Sequence, residues 1–342
     1  MRGEGTKPLS CDGAAAYHVA FPIPLSAFPL PPLLSYLEEI TLRLAHGIDK
    51  LPEATRARHA EFLKAQQRPD GGFAGREGGS DLYYTGFGLR GIAMLGELQG
   101  PLAEKAAEFL RSKLTSEAPI VDFLSLIYGA MLLKTSAGID VFAGSYAQWP
   151  EQVSAALERF RRPDGGYAKT DEGQSSSTYN TFLVVICNQL IGRPIVEPQR
   201  IVEFVRSRRR EDGGFVEIGP MTRSGTNPSA AAAALLRLLD GYDATMRDEL
   251  IDFLLDAQID EGGFRANTRI PTADVLSTFT GLLTLGDLQA LHEIDVAAAR
   301  RYVQSMELPS GGFLGGIWDE ATDVEYTFYG LGGLALLATQ PD

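Results

Sequence analysis

The chain has 342 residues, of which 31 are Lys or Arg and 44 are Asp or Glu, so its formal net charge is -13. This excess of negative charge argues against nucleic acid or an anionic membrane surface as the main partner. The two cysteines, Cys11 and Cys187, are too few for a disulfide framework and suit a reducing compartment, so we expect a cytoplasmic protein.

The first predicted element is a proline-rich arm that leads into a short helix, and together they occupy residues 1–50. The arm contains AFPIPLSAFPLPPLL, in which prolines recur too often for the helix of a signal peptide. We expect an extended segment against the body, with dimer formation or insertion into a cavity as the alternative. The short helix is predicted near residues 34–45. No run of eighteen apolar residues occurs, so no membrane span is predicted.

Residues 51–342 contain a repeat marked by two glycines and an aromatic residue. This element begins at Gly71, Gly165, Gly213, Gly262 and Gly311. The intervals are 94, 48, 49 and 49 residues, so the first interval spans two periods and one unit has lost its glycines. The segment APIVDFLSLIYGAMLL supplies the buried helix of that unit. The sequence therefore predicts six units of about 48 residues.

Each unit combines two helices of different character. The first is amphipathic, as in LIDFLLDAQ, whereas the second is almost uncharged, as in VLSTFTGLLTL. A helix that is apolar on every face must be buried on every face, so the units predict an outer and an inner layer. Six pairs can close into a ring, and we predict an all-α fold, an α/α toroid of six helix pairs. An open α-solenoid is the alternative, but its last unit should be polar outside, and here the last helix is the least polar.

The Gln-x-x-x-Gly-Gly-aromatic element, its period and the paired helices resemble the α/α toroid of protein prenyltransferase β subunits and of terpenoid cyclases such as squalene–hopene cyclase. The resemblance extends over residues 53–338. It implies a deep apolar cavity, surrounded by the inner helices, that holds an isoprenoid chain. Aromatic residues on the inner helices are candidates to line it, with plain packing between helices as the alternative. The candidates are Tyr83, Tyr84, Phe87, Phe123, Tyr128, Phe182, Phe279, Tyr326, Phe328 and Tyr329.

A short polar residue begins each inner helix. Such a side chain accepts hydrogen bonds from free backbone N–H groups, and a carboxylate also suits the positive end of the helix dipole. We therefore predict N-caps at all six positions. Asp274 and Asp323 are in addition candidate catalytic residues, because these two units carry the chemistry of the families that the chain resembles. The aligned residues are Asp81, Asp122, Ser177, Thr226, Asp274 and Asp323.

Protein prenyltransferase β subunits hold a catalytic zinc with an Asp-x-Cys pair and a His from the last unit. In this chain Asp274 stands at the Asp position, but Leu276 stands at the Cys position and Tyr326 at the His position. Neither replacement is a zinc ligand of comparable strength. We therefore expect no metal site and no cofactor, and Mg²⁺ only together with a diphosphate ligand.

The diphosphate pocket of the same family uses a His, an Arg, a Lys and a Tyr near the cavity mouth. Arg265 and Arg269 lie in the corresponding loop but out of register, and Arg223 lies in the neighbouring loop. Thr226 and Ser277 stand at the His and Tyr positions. One or two of these arginines could bind a phosphate through paired hydrogen bonds, and ordinary surface positions are the alternative.

A second resemblance concerns the segment DVEYT, residues 323–327, which is similar to the Asp-x-Asp-Asp-Thr segment of class II terpenoid cyclases. Glu325 stands at the acid position and Tyr326 replaces the last Asp. A carboxylic acid beside an apolar pocket can protonate an alkene. The resemblance thus implies an acid role for Glu325, and Tyr326 is a further candidate catalytic residue of this segment.

Three functions remain open from the sequence. The first is a prenyltransferase-like protein that handles an isoprenoid or similar long apolar ligand without the usual zinc. The others are a non-catalytic lipid-binding or interaction toroid and a cyclase-like enzyme that uses Glu325. Whether the protein is an enzyme is left open. Protein prenyltransferase β subunits work with a helical-repeat α subunit, so a partner subunit or a homodimer is expected if a prenyl group is transferred.

Overall fold

The computed structural model describes residues 34–114, 119–144 and 148–340, and the predicted N-terminal arm, residues 1–33, lies outside these described residues. Two short antiparallel hairpins, formed by β1 (Tyr167–Ala168) with β2 (Ser176–Ser177) and by β3 (Phe264–Arg265) with β4 (Ala273–Asp274), accompany the helices. The α-helices are α1 (Tyr36–Ile48), α2 (Glu53–Ala65), α3 (Leu82–Met94), α4 (Gly100–Ser112), α5 (Ile120–Ala137), α6 (Trp149–Glu158), α7 (Thr178–Leu190), α8 (Pro198–Ser207), α9 (Thr226–Leu238), α10 (Ala244–Ala257), α11 (Val275–Asp287), α12 (Val296–Ser305) and α13 (Val324–Leu337).

Six of these helices form a closed inner ring. In chain order α3, α5, α7, α9, α11 and α13 each pack against the next, and α13 packs back against α3. The amphipathic helices α2, α4, α8, α10 and α12 pack against the inner helices from outside. Because the first and last inner helices contact each other, the fold is the predicted α/α toroid and the open solenoid is excluded.

In the five units that have one, the Gly-Gly turn packs against the outer helix of the next unit. At Gly262 the backbone has φ of +96°, and an added Cβ would lie 2.1 Å from the carbonyl carbon of Ala298 on α12. The turn of the last unit meets the first outer helix, because a Cβ on Gly312 would lie 2.8 Å from the Phe62 ring of α2. The ring therefore also closes through its outer layer.

The repeated aromatic residue and the repeated threonine form one structural element. The backbone N–H of Phe264 donates to Oγ1 of Thr278 at 2.9 Å, and that hydroxyl donates to the carbonyl oxygen of Asp274 at 2.7 Å. The Phe264 ring packs against Gly281, where a Cβ would come within 2.6 Å of it. The pairs equivalent to Phe264 and Thr278 are Phe73 with Thr85, Tyr167 with Thr181, Phe215 with Ser229 and Phe313 with Thr327.

Two of the six predicted N-caps are wrong. Asp81, Ser177, Asp274 and Asp323 do accept a backbone N–H bond at the start of their helices. Asp122, however, lies in the first turn of α5, whose N-cap is Pro119, because this unit has lost the glycine turn that sets the register. In α9 the N-cap is Gly225, and the hydroxyl of the following Thr226 donates to the carbonyl oxygen of Arg265 at 2.6 Å.

Helix α1, which corresponds to the predicted short helix, closes one end of the ring by packing against α3, α7 and α13. Its side chains bind groups at the carboxyl ends of inner helices. The hydroxyl of Tyr36 donates to Asp287 at 2.8 Å, and Arg43 pairs with the same carboxylate at 2.7 Å. The backbone N–H of Tyr36 donates to Gln189 of α7 at 2.9 Å. The amino ends of the inner helices form the opposite rim.

Helix α5, Ile120–Ala137, is long and apolar enough to cross a membrane if only length and composition are considered. It lies in the ring between α3 and α7, and most of its residues are buried there. This is the setting of a core helix.

Candidate functional site

The space inside the ring, called the lumen below, contains polar groups from helices that are not neighbours. Tyr179 on α7 interacts electrostatically with Arg90 of α3 and with Glu325 of α13. Because α7 is a ring neighbour of neither α3 nor α13, groups that interact between these helices face the lumen. Tyr179 is nevertheless 43% exposed, so the space in front of its ring is open.

One wall of the lumen is aromatic. The rings of Phe87 on α3, Phe279 on α11, and Phe328 and Tyr329 on α13 lie edge to face or tilted, with centroids 5.2 to 5.6 Å apart. Tyr83 adjoins Phe87 at 5.0 Å. The predicted lining residues Phe279 and Tyr329 thus belong to one cluster, in which Phe87, Phe279 and Phe328 are almost fully buried while Tyr83 and Tyr329 are half-buried.

The opposite wall is formed by small side chains. Helix α9 lies across the six-membered ring from α3 and carries alanine at residues 230–234. Ala230 stands five residues after its N-cap, where α7, α11 and α13 carry Phe182, Phe279 and Phe328. Ala230 is partly exposed, although it lies on an inner helix. The missing ring at this position leaves room in the lumen.

Glu325 occupies the rim beside the aromatic wall. Its Oε1 accepts a hydrogen bond from the hydroxyl of Tyr83 at 2.6 Å, and Tyr329 also bonds to the carboxyl group. Burial raises the pKa of Glu325 above its ordinary value, and the charge of Asp323 adds to this, although the bond from Tyr83 opposes it. Glu325 is therefore a carboxyl group that can hold a proton next to an apolar surface.

Asp274 uses both carboxylate oxygens as a helix cap. Oδ1 accepts the backbone N–H of Ser277 at 2.6 Å, and Oδ2 accepts the Ser277 hydroxyl at 2.8 Å. Burial raises the pKa of Asp274, while the bonds from Ser277 lower it. Arg269 is exposed and does not pair with Asp274. The geometry is that of the predicted N-cap.

Asp323 also caps its helix, but it belongs to an ion cluster that the sequence analysis missed. Its Oδ1 accepts the backbone N–H of Tyr326 at 2.8 Å, and its Oδ2 accepts Nε of Arg76 at 2.9 Å. Arg76 binds Asp319 through two further bonds of 2.6 Å, and these bonds lower the pKa of Asp319 to about 2. The Arg76 guanidinium also lies 5.6 Å from the ring centroid of Tyr326. The cluster joins the first unit to the last.

The residues at the zinc-ligand positions do not fit a zinc ion. Both oxygens of Asp274 are engaged in capping, Leu276 has no donor atom, and Tyr326 is a phenol whose pKa burial raises further. Over the described ranges no group of three or more His, Cys, Asp or Glu side chains could hold a metal. The three positions that match the zinc ligands of the resembling family thus supply no zinc ligand set.

The three candidate phosphate-binding arginines do not converge. Arg265 donates to the backbone carbonyl oxygen of Asp256 on the outer helix α10 at 2.9 Å. Arg269 and Arg223 are exposed. The rim itself is acidic, and the charge of Arg76 is balanced by two carboxylates, so a diphosphate would meet repulsion there. The carboxylates near this end belong to Asp81, Asp122, Glu217, Asp274, Asp319, Asp323 and Glu325.

One further predicted residue, Tyr84, lies near the acidic rim. Tyr84 is half-buried beside Tyr83, with ring centroids 5.2 Å apart, and burial followed by the charge of Glu325 raises its pKa. Arg90 in the lumen was missed, although it is the one charged residue in the otherwise uncharged helix α3. That exception in the pattern is the signal by which it could have been found.

The ring, the aromatic wall and the buried carboxyl group define an α/α toroid protein with a partly open interior. The profile of the prenyltransferase alpha-alpha toroid domain family matches residues 33–122 and 229–341, and the chain belongs to this family. No curated protein sequence matches the chain.

Solved structures share the fold at low sequence identity. Protein geranylgeranyltransferase-I from Candida albicans, complexed with GGPP, has a TM-score of 0.66 and 15% identity over 82% of this chain and 90% of its own. The type II terpene cyclase MstE from Scytonema, as a variant in complex with geranylgeranyl dihydroxybenzoate, has a TM-score of 0.57 and 14% identity over 88% of this chain and 99% of its own. At these identities the likeness establishes the fold.

Proposed function

We propose that this protein binds an isoprenoid or similarly long apolar ligand in the lumen of its toroid. The observation that carries the proposal is the aromatic wall of Phe87, Phe279, Phe328 and Tyr329, enclosed by the ring and closed at one end by α1. Each CH₂ group that leaves water for such a surface contributes about 0.8 kcal/mol, so a long chain gains affinity along its length.

Two structural relatives support this choice of ligand. One is titled as a complex with GGPP and the other as a complex with geranylgeranyl dihydroxybenzoate, so related toroids accept prenyl chains. Transfer through a zinc-bound thiolate is not supported, because Leu276 and the capping role of Asp274 leave no ligand set. The acidic rim also disfavours a diphosphate at that end. We therefore propose that the protein binds its ligand without zinc.

Native protein should carry such a ligand when it is purified without detergent. Mass spectrometry of an organic extract is expected to find a prenyl lipid, and isothermal titration should show binding of geranylgeraniol. Ala230→Phe places in α9 the ring that stands at this position in α7, α11 and α13, so it should fill the open side of the lumen. We expect binding to fall at least tenfold, a loss of about 1.4 kcal/mol.

The matched control is Ala54→Phe, which puts the same ring on the exposed surface of the outer helix α2 and should bind as the unaltered protein does. Equal binding by the folded Ala230→Phe protein would contradict a lumen site. The absence of both extracted and added ligand would reject the proposal.

A second candidate function is cyclase-like protonation of an alkene by Glu325. The specific observation is a carboxyl group of raised pKa that Tyr83 and Tyr329 orient beside the aromatic wall. The π electrons of the alkene would take the carboxyl proton and form a C–H bond, which leaves a carbocation and a carboxylate. The nearby ring faces would stabilise that cation. A second alkene of the chain would attack this cation and close a ring, and the cyclised cation would lose a proton to become a neutral alkene. Return of a proton to the Glu325 carboxylate would restore the acid.

Glu325→Gln keeps an oxygen for the Tyr83 bond but cannot supply the proton. We expect it to bind geranylgeraniol as before and to lose any conversion of a linear polyprene into a cyclic product, measured by gas chromatography with mass spectrometry. Asp81→Asn, which removes an exposed carboxylate from the same end of the ring, is the control. Product formation that survives Glu325→Gln would exclude Glu325 as the acid. If the unaltered protein forms no cyclic product, the cyclase function is excluded and the binding function stands.

A further inference from the structure

Arg90 is a cation inside the lumen. It lies on α3, and its guanidinium carbon is 4.8 Å from the ring centroid of Phe87, 5.0 Å from that of Tyr128 and 5.9 Å from that of Phe328. These three rings belong to α3, α5 and α13. Since helical side chains point toward the amino end of their helix, the guanidinium lies at the level of Phe87, about one turn below the rim.

This guanidinium lacks a polar partner in the described parts of the chain. Its Nε is buried without a hydrogen bond, and no carboxylate pairs with it. Glu325 acts on it only at longer range, since that carboxyl group bonds to Tyr83. Arg90 is half-buried, and the ring faces replace part of the water that its guanidinium loses, but no carboxylate balances its charge.

Tyr179 reaches the same space from α7, which α5 separates from α3 in the ring. Its backbone N–H contacts Glu217, but its hydroxyl has no hydrogen-bond partner among the described residues. Although the Tyr179 ring is accessible, the surrounding helices enclose it, and this enclosure raises the pKa of the phenol. The Arg90 charge is the next largest influence and opposes the increase. A guanidinium on α3 and a free hydroxyl on α7, two helices that α5 separates in the ring, thus act on one open volume.

We propose that Arg90 and Tyr179 form an anion-binding site for a carboxylate or phosphate group carried by the lumen ligand. The inference rests on the proposed function, because the rest of that ligand lies along the aromatic wall. The two terminal nitrogens of Arg90 donate paired hydrogen bonds to the oxygens of the anion, and the Tyr179 hydroxyl donates a third.

The site has a consequence for the class of ligand. A purely hydrocarbon ligand leaves Arg90 unpaired, whereas an anionic amphiphile neutralises it in a region from which aromatic rings exclude water. The acidic rim repels the same anionic group, so the charged end lies inside the lumen and the chain runs along the wall. The preferred ligand is therefore a prenyl chain with one ionised oxygen group.

Matched ligands test this site. The affinities of geranylgeranoic acid and geranylgeraniol, which share one chain, are measured by titration calorimetry at neutral pH, and geranylgeranyl monophosphate distinguishes a phosphate from a carboxylate. The unaltered protein should bind at least one of the two anions tenfold to a hundredfold more tightly than the alcohol. Arg90→Met should remove this preference and keep the alcohol affinity, while Arg269→Met, at an exposed loop position, should keep both.

The affinity for geranylgeraniol distinguishes failure of the anion site from failure of the lumen site. If the alcohol binds but neither anion is preferred, or if the preference survives in Arg90→Met, the anion site is wrong and the lumen site stands. If none of the ligands binds to the unaltered protein, the proposed function and the anion site are both wrong. Arg90→Gln serves as a second neutral variant should Arg90→Met not fold, and Tyr179→Phe should weaken the binding of the anion alone.

Discussion

Gly262→Ala is expected to destabilise the toroid by about 3–5 kcal/mol. The glycine has φ of +96°, a conformation that costs an alanine about 1–2 kcal/mol. The new methyl group would also lie 2.1 Å from the backbone of Ala298, so α12 has to move away from the turn. Urea unfolding followed by circular dichroism gives the free energy of unfolding that checks this value.

Gly78→Ala is the matched control, because Gly78 has φ of +85° but no atom within 4 Å of an added Cβ. It shares the backbone strain and lacks the collision, so we expect a loss of about 1 kcal/mol. Equal effects of the two substitutions would show that the turn does not need the close approach to α12. The difference between them measures what the Gly-Gly turn contributes by letting two backbones touch.

The fold could be predicted from the sequence because its determinants recur. A glycine pair, an aromatic residue and a threonine come at the same spacing in several units, and each performs the same local task, as Phe264, Thr278 and Gly281 illustrate. The predicted N-cap positions were wrong where the repeat departs from its usual pattern. Asp122 lies in the unit that lacks the glycine turn, and Thr226 lies one residue beyond the true N-cap.

The candidate site was less accessible to sequence analysis, because it depends on residues that differ between units. Asp274 could be assigned as a cap from its position, and the structure gives it that role. The cluster of Arg76 with Asp319 and Asp323 could not be found, since it forms only when the first and last units meet at the closure of the ring. Arg90 could have been predicted as a candidate, because it is the one charged residue on its inner helix. Its contacts could not, because they come from α5 and α13.

Repetition and function are thus divided between different residues of the same helices. The positions that repeat, such as Thr278 and Gly281, stabilise the ring because they contact the Gly-Gly turns. The positions that do not repeat, such as Arg90, Tyr179 and Glu325, face the lumen and give it polarity. A family that changes its lumen residues while it keeps the turns can therefore keep its fold and change its ligand.

The contact between the last and first units, called the seam here, should make the free energy of unfolding depend on pH. His59 of α2 is fully buried, stacks on Phe313 at 4.8 Å, and accepts the backbone N–H of Gly312 on Nδ1 at 3.1 Å. Its Nε2 lies 2.9 Å from Glu307 and donates to it. This arrangement requires a neutral ring. Burial, followed by the charge of Arg58, accordingly lowers the pKa of His59 to about 4.

Because the unfolded chain binds this proton at an ordinary pKa near 6.5, the contribution of His59 to stability is complete above that pH and is lost as pH falls toward 4. The unaltered protein should therefore lose about 3 kcal/mol more than His59→Gln between pH 7 and pH 4, measured by urea unfolding at each pH. His292→Gln, at an exposed position, should follow the unaltered protein. A parallel loss in His59→Gln would mean that His59 titrates alike in both states, and the neutral, buried imidazole would then not hold the seam.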